Sequence, residues 1–219
     1  MFVGHFGVGF GAKAAAKTVS LGTLFLAAQF IDLLWPTLLL LGIERVRIEP
    51  GITTVTPLNF LYYPFSHSLL FVLIWAAVVG GAFYLIRKSM RGALVLGVLV
   101  VSHWLLDLIV HRPDLPLYPG STTLAGWEGW SSLGTTLVLE GGIFAAGVFL
   151  YFRATEAADL QGVWGLWTFV AVIVGIYLLN VFGPPPPDVS SIAWAGHLQW
   201  LFVVWGYWVD RHRRPVFHR

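Results

Sequence analysis

Six apolar segments, each about as long as a lipid bilayer is thick, constrain the fold of this chain more than any other feature. A membrane-spanning helix needs roughly 20 consecutive apolar residues. Segments of this kind lie at about residues 20–43, 68–86, 93–111, 132–152, 163–183 and 190–209. Because lipid offers no hydrogen bonds to the backbone, such segments must form helices. The sequence therefore predicts an all-α class, a polytopic membrane helical bundle with about six transmembrane helices.

The overall composition agrees with a chain surrounded by lipid. Hydrophobic residues make up 57% of the 219 residues and charged residues only 11%, whereas a soluble domain has about 25% charged residues. No soluble domain fits between the spans, so we predict a single integral membrane domain over residues 1–219. Residues 3–16 are too short to cross the membrane and are rich in Gly and Ala, which predicts a short N-terminal helix packed closely against the bundle.

The Lys and Arg residues predict the orientation of the bundle, because cytoplasmic loops carry an excess of them. With residue 20 on the cytoplasmic side, ten of the thirteen Lys and Arg residues fall inside. The exceptions are Arg45, Arg47 and Arg112. Both termini are then predicted to be cytoplasmic, and the loops 44–66 and 112–131 are predicted to face outward.

Two classes of chemistry are excluded by composition. The chain has no Cys, which removes disulfides, thiolate metal sites and Cys nucleophiles. Its isoelectric point near 9.0 comes from scattered basic residues rather than from one basic patch. Nucleic acid is therefore not expected as a partner, whereas membrane lipid is.

Ionisable residues interrupt the predicted spans at a common depth. His103, Asp107 and His111 are four residues apart, so on a helix they form one stripe. At a rise of about 1.5 Å per residue, Asp32 lies about 15 Å below the outer surface, and His103 and Glu140 lie about 12 Å below it. Ionisable residues inside a membrane are costly and usually face a bundle interior or a wet cavity. We therefore expect a polar layer in the outer half of the bundle.

The residue types in this layer suit a divalent metal ion. His and carboxylates without thiolates bind zinc or another divalent ion, and His103 and Asp107 have the i, i+4 spacing that lets two ligands of one helix share an ion. His67 lies between two serines at a predicted helix start. Glu140 is a candidate ligand or general base. Asp107 is a candidate ligand, or a residue that orients a ligand His.

The sequence is also compatible with a purely structural role for these residues. The stripe of His103, Asp107 and His111 could be a polar clamp between helices without a further function. His111 precedes Arg112-Pro113-Asp114 and could cap the helix at the interface. His197 is better explained as a packed, hydrogen-bonded residue. An ion pathway is the weakest hypothesis, because the inner half of the spans has no ionisable residue to continue it.

At these residues the chain resembles the bacterial family of membrane-bound, metal-dependent hydrolases that associate with the inner membrane. The resemblance covers roughly residues 1–115. The matching motifs are Gly4-His5, Ile31-Asp32, Ser66-His67-Ser68 and Ser102-His103-Trp104-Leu105-Leu106-Asp107. In one departure, the second acid or His that often follows the first Asp is replaced here by Leu33-Leu34-Trp35.

The resemblance implies a divalent metal, with zinc as the first choice. The implied ligands are His5, Asp32, His67, His103 and Asp107, and His111 or Glu140 is expected to complete the set. Asp107 and Glu140 are the catalytic candidates. The predicted function is a metal-dependent hydrolase of the bacterial inner membrane that acts on a phosphoester or lipid-like substrate from the extracytoplasmic side. The alternative is a non-catalytic accessory subunit with membrane-protein partners in a larger complex.

Overall fold

Helices make up most of the computed structural model, which describes residues 1–217. Their bounds are α1 Val3–Ala15, α2 Leu21–Ala28, α3 Phe30–Leu40, α4 Pro64–His67, α5 Leu69–Arg87, α6 Met90–Val110, α7 Leu133–Ala154, α8 Leu160–Phe182, α9 Val189–His197 and α10 Gln199–Arg211. A short 3-10 turn covers Gly129–Ser131. The predicted all-α class is confirmed.

The strands form small antiparallel pairs in the connections between helices. Their bounds are β1 Arg45–Ile48 with β2 Leu58–Tyr62, β3 Leu115–Pro116 with β4 Leu124–Ala125, and β5 Thr155–Ala157 with β6 Arg213–Pro215. The first two pairs stiffen the two long loops. The third joins the loop before α8 to the segment after α10.

The membrane-spanning helices are fewer and less regular than the six predicted. Within residues 1–217, α5, α6, α7 and α8 are each long and apolar enough to cross a membrane. Helices α2 and α3 form a fifth span if they are counted together, with a bend of 56° between them at Gln29. The predicted span 190–209 is divided at Leu198 into α9 and α10. Neither α9 nor α10 alone reaches the roughly 30 Å thickness of the hydrocarbon core.

Helix α1 lies against the other helices, as its small residues predict. Gly7 packs directly on α7, where a Cβ at Gly147 would overlap the backbone oxygen of Gly7. Phe6 and Phe10 are fully buried and meet Phe25 of α2 edge-on, with ring centroids 5.2 and 4.8 Å apart. Close backbone contact on one face and aromatic packing on the other fix the position of α1 in the bundle.

Helix α1 runs antiparallel to α6. At its start, the backbone nitrogen of Met1 contacts Asp107 near the end of α6. At its end, Ala15 accepts a hydrogen bond from Arg91 near the start of α6, and Lys17 contacts Val216. Met1 and Val216 therefore lie at opposite ends of α1. The side of the membrane that each end faces stays a prediction.

Candidate functional site

Asp107 lies at the centre of a buried polar group between the start of α1 and the end of α6. Its Oδ1 is 2.6 Å from the backbone nitrogen of Met1 and 3.1 Å from His5 Nε2. Its Oδ2 is 3.2 Å from His103 Nε2 and 3.9 Å from His67 Nε2. The Asp107 side chain is only 2% exposed, so these contacts replace water around its carboxylate.

Asp32 closes the same group from α3. Its Oδ1 is 3.4 Å from His67 Nε2, and its Oδ2 is 3.5 Å from His103 Nε2. His67 and His103 thus lie between Asp32 and Asp107. The Asp32 side chain is 21% exposed, more than those of the other four. We call His5, Asp32, His67, His103 and Asp107 the Asp107 cluster.

The break between α2 and α3 fixes the ring of His103. The backbone carbonyl of Ala28 is 2.7 Å from His103 Nδ1. Within residues 1–217 no backbone N–H bonds this carbonyl, because the turn at Gln29 interrupts the helical ladder. His103 Nδ1 therefore carries a hydrogen, and Nε2 faces the two carboxylates. In the described part of the chain this buried Nε2 has no contact of hydrogen-bond geometry.

A chain of hydrogen bonds orients His67 in the same manner. His67 Nδ1 lies 2.7 Å from Ser66 Oγ, which donates to Glu44 Oε2 at 2.6 Å. Because the Ser66 hydroxyl gives its hydrogen to Glu44, it accepts one from His67 Nδ1. Glu44 is itself buried, and its Oε1 accepts the backbone N–H groups of Phe65 and Ser66. The result again directs Nε2 of His67 towards the carboxylates.

His5 and Glu140 occupy the side of the group nearest α1 and α7. The ring of His5 stacks on that of His103, with centroids 3.5 Å apart and an angle of 13°. His5 Nδ1 is buried without a hydrogen-bond partner among the described residues. Glu140 is also buried, and its Oε2 accepts the backbone N–H of Phe2 at 2.7 Å. Glu140 therefore holds the start of α1.

Among residues 1–217, two sets of side chains have the spacing of metal ligands, and His103 belongs to both. One set is His5, His103 and Asp107, and the other is Asp32, His67 and His103. In each set the ligand atoms lie within 4.8 Å of one another. The convergence expected for His67, His103 and Asp32 is thus present. Imidazole and carboxylate groups are donors that suit zinc or a similar divalent ion, and within residues 1–217 the buried Nε2 of His103 has no hydrogen-bond partner.

A family model described as "YdjM inner membrane protein" matches residues 1–183 of this chain. The chain belongs to that family. The match includes every residue of the Asp107 cluster as well as Glu44, Ser66 and Glu140. No curated protein and no solved structure matches the chain. Membership of the YdjM family confirms the predicted inner-membrane location.

The two remaining His residues of the predicted spans lie outside both ligand sets. His111 ends the stripe of α6, where its Nδ1 contacts Asp114 Oδ1 at 2.9 Å and its ring packs on Trp130. His197 bonds the carbonyl of Ala193 at 2.8 Å and contacts Thr37 Oγ1 at 3.1 Å. Both have the packed, hydrogen-bonded surroundings that are typical of a structural His.

Glu44 belongs to the site, although the sequence did not point to it. It follows the first apolar segment in a polar stretch that includes Arg45 and Glu49, so it resembles an ordinary loop acid. The signal that could have found it is indirect. A hydroxyl directly before His67 needs an acceptor of its own once it is buried, and that acceptor is Glu44.

Proposed function

We propose that this member of the YdjM family is a membrane-embedded hydrolase whose divalent metal ion is held by the Asp107 cluster. One observation carries the proposal. His67 and His103 each have Nδ1 bonded to an oxygen, so both Nε2 atoms face Asp32 and Asp107. Metal-ligating His residues commonly have such a partner on the other ring nitrogen. A purely structural clamp does not need this shared direction.

The residues of the cluster would have two roles, as metal ligands and as proton acceptors. Asp32, His67 and His103 would hold the ion, with His5 and Asp107 as the further ligands. The ion, when bound, would act as a Lewis acid and lower the pKa of a water molecule towards neutrality. Asp107 is the first candidate for accepting a proton, because its Oδ2 lies beside the Nε2 atoms of His67 and His103, which would hold the ion. Glu140 is the second candidate.

The substrate proposal follows from depth and exposure. Asp107 lies three residues before the end of α6, which corresponds to about 5 Å along the helix. Asp32 is the part of the cluster that is most open. A phosphoester whose polar group enters at Asp32 while its apolar part stays in lipid would fit this position. We therefore propose a phosphoester or lipid-like substrate that enters from the extracytoplasmic leaflet.

Metal content is the first test. The protein would be purified in detergent, stripped with a chelator, reloaded with zinc, desalted and assayed by elemental analysis. Wild type should retain zinc, and His103→Ala should lose it because His103 belongs to both ligand sets. His197→Ala is the matched control and should retain zinc. A wild type that retains no zinc, or equal zinc in all three proteins, would contradict the metal proposal.

Hydrolysis is the second test, because metal binding alone does not establish a reaction. The zinc-loaded protein would be assayed on a chromogenic phosphate ester and on phospholipid in mixed micelles. We expect turnover that requires both zinc and Asp107, and Asp107→Asn should abolish it. Retained zinc with no turnover on either substrate would count against a phosphoester substrate.

The alternative is a non-catalytic accessory subunit of a larger membrane complex. One contact favours it: the backbone nitrogen of Met1 lies 2.6 Å from Asp107 Oδ1, so Asp107 has a partner without any metal. On this alternative His103→Ala lowers thermal stability, and wild type binds no zinc. The elemental analysis therefore separates the two functions.

The proposed side of access is tested by labelling. The chain has no Cys, so Ser89→Cys and Ser121→Cys each introduce a single thiol. We predict that a membrane-impermeant maleimide added to intact spheroplasts labels position 121 and not position 89, because the basic connection 87–92 is predicted to be cytoplasmic. Labelling of both from the same side would contradict this orientation.

A further inference from the structure

Two adjoining cavities lie along α1, and none of the residues of the Asp107 cluster lines either of them. The first is an apolar groove of about 550 Å³. Its floor is α1 and its walls are α6 and α7; the lining includes Gly7 and Gly11, Leu94 and Val98, and Ala146 and Leu150. Leu94 and Val98 are 62% and 66% exposed. The groove therefore opens sideways from a spanning helix, towards the lipid.

The second cavity lies where α1 ends and α6 begins. Its volume is about 390 Å³, and Ala15 lines both cavities, so the two adjoin at the end of α1. The charged residues among its lining are Lys17 and Arg91. Helix α5 ends at Arg87 and α6 begins at Met90, so we expect this cavity to lie near the level of the lipid headgroups. An apolar groove in the membrane thus leads into a basic cavity at its surface.

Both basic side chains bond backbone oxygens, and Lys17 Nζ also lies over the ring of Phe217, 5.3 Å from its centroid. Lys17 Nζ donates to the carbonyl of Val216, and Arg91 Nε donates to the carbonyl of Ala15, both at 2.6 Å. In the described part of the chain neither forms an ion pair with a carboxylate, whereas the nearby Lys13 pairs with Asp210 at 2.7 Å. The N-terminus of α6 adds a partial positive charge to the same cavity.

We propose that the two cavities bind one anionic glycerophospholipid. Its phosphate lies between Lys17 and Arg91, and one acyl chain follows the groove from Ala15 towards Gly7, a path of about 12 Å along α1. A zwitterionic lipid would bring an ammonium group into a cavity whose charged lining is basic. This site is separate from the proposed hydrolase, because its phosphate end lies at the other end of α1 and needs no metal.

Native mass spectrometry of the full-length protein in detergent tests the charge requirement. The protein would be titrated with phosphatidylglycerol and, separately, with phosphatidylcholine of the same acyl chains. We expect one saturable phosphatidylglycerol that binds more tightly than phosphatidylcholine. With both Lys17→Gln and Arg91→Gln, its affinity should fall about 30-fold, as expected for two lost basic contacts. The double variant Arg87→Gln with Lys88→Gln removes equal charge outside the cavity and should change the affinity less than about twofold.

A second pair of variants tests the groove. A Cβ at Gly11 would contact Leu150 Cδ1 at 3.4 Å, whereas a Cβ at Gly175 would meet open space. Gly11→Leu should therefore weaken phosphatidylglycerol binding, and Gly175→Leu should not. Glycerol phosphate, which has the anion without the chains, should fail to compete at equal concentration.

The single variant Lys17→Gln is the control for misfolding of the double variant, because it leaves the bond between Arg91 and Ala15 in place. It should weaken phosphatidylglycerol binding by about fivefold. Its melting temperature should change little, because the Gln amide can still donate to the carbonyl of Val216. Equal affinities for the two lipids in wild type would overturn the proposal. So would tight binding by the Lys17 and Arg91 double variant, or unchanged binding by Gly11→Leu. Competition by glycerol phosphate alone would replace the lipid with a free anion and overturn it too.

Discussion

A polar network lies at each end of α1. The two networks differ in whether every charged group has a partner of opposite charge. The far end is the C-terminal end of α1, and the near end is the N-terminal end beside Asp107. At the far end, Lys13 donates to Asp210 Oδ2 at 2.7 Å and to the carbonyl of Val19 at 2.8 Å. Tyr151 donates to the other oxygen of Asp210 at 3.2 Å. One cation meets one anion there, and both have further hydrogen bonds.

At the near end, the Asp107 cluster has two carboxylates and three imidazoles, and the nitrogen of Met1 lies 2.6 Å from Asp107 Oδ1. Backbone and hydroxyl oxygens direct His67 Nε2 and His103 Nε2 towards the carboxylates. His103 Nε2 and His5 Nδ1 have no hydrogen-bond partner in the described part of the chain. A buried charge is normally paired or coordinates a metal. The contrast supports the proposal that the near network receives a cation, whereas the far network is already paired and holds helices together.

The largest effect on stability is expected from breaking the far network. Lys13→Met leaves the largely buried Asp210 without its cation, which commonly costs about 3–5 kcal/mol in the free energy of unfolding. Zinc retention in the protein that still folds should be unchanged, because Lys13 is at the other end of α1. Denaturant unfolding in detergent and elemental analysis measure the two effects. Lys88→Met, an exposed position, is the control. If Lys13→Met lost zinc in proportion to its loss of stability, the claim that the two networks have different roles would be wrong.

A smaller effect is expected from Glu44→Gln. The amide oxygen can still accept from the backbone of Phe65 and Ser66, but the amide nitrogen cannot accept the Ser66 hydroxyl. The orientation of His67 is then lost, and zinc affinity should fall by about 10–100-fold. Competition with a zinc chelator measures it, and the melting temperature of the metal-free protein should change little. Glu49→Gln makes the same change at an exposed acid and should leave the affinity unaltered.

The smallest expected effect is on the pH dependence of stability, and it concerns the exposed pair of His212 and Asp159. The hydrogen bond from His212 Nδ1 to Asp159 Oδ2, at 2.7 Å, and that from the backbone of Gly162 lower the pKa of Asp159. A lowered folded-state pKa means that the stabilisation is present above the ordinary value near 3.9 and is lost as pH falls through the folded value. Asp159→Asn should therefore flatten the dependence of the melting temperature on pH below about pH 4. Parallel profiles of the two proteins across the acidic range would contradict this assignment.

Hydropathy and length predicted the continuous spans closely and the interrupted ones poorly. The predicted 93–111 and 132–152 correspond to Met90–Val110 and Leu133–Ala154. No Gly or Pro marks the break at Gln29 in the sequence. Pro36 does not mark a break either, because it lies inside α3. The break depends on packing with other helices, and a single-segment pattern does not contain that information.

The proximity of the cluster residues could be predicted where local geometry determines it. The i, i+4 spacing brought His103 and Asp107 to one face, and depth brought Asp32 to the same layer. His111 was extrapolated along the stripe, but its backbone is already extended, with φ −65° and ψ 151°. It therefore departs from the helical face that carries the other two. Glu44 reaches Ser66 only through the tertiary fold, so spacing along the chain could not reveal it.

The carbonyl of Ala28 has a consequence for the order of assembly in the membrane. Ala28 leaves the ribosome well before His103 is made, and the turn at Gln29 leaves its carbonyl without a helical partner. An unsatisfied polar group in hydrocarbon costs several kcal/mol. We therefore expect α2 and α3 to form one straight helix, or to stay near water, until α6 inserts and His103 bonds the Ala28 carbonyl. The bend and the candidate site would then mature in a single step of folding.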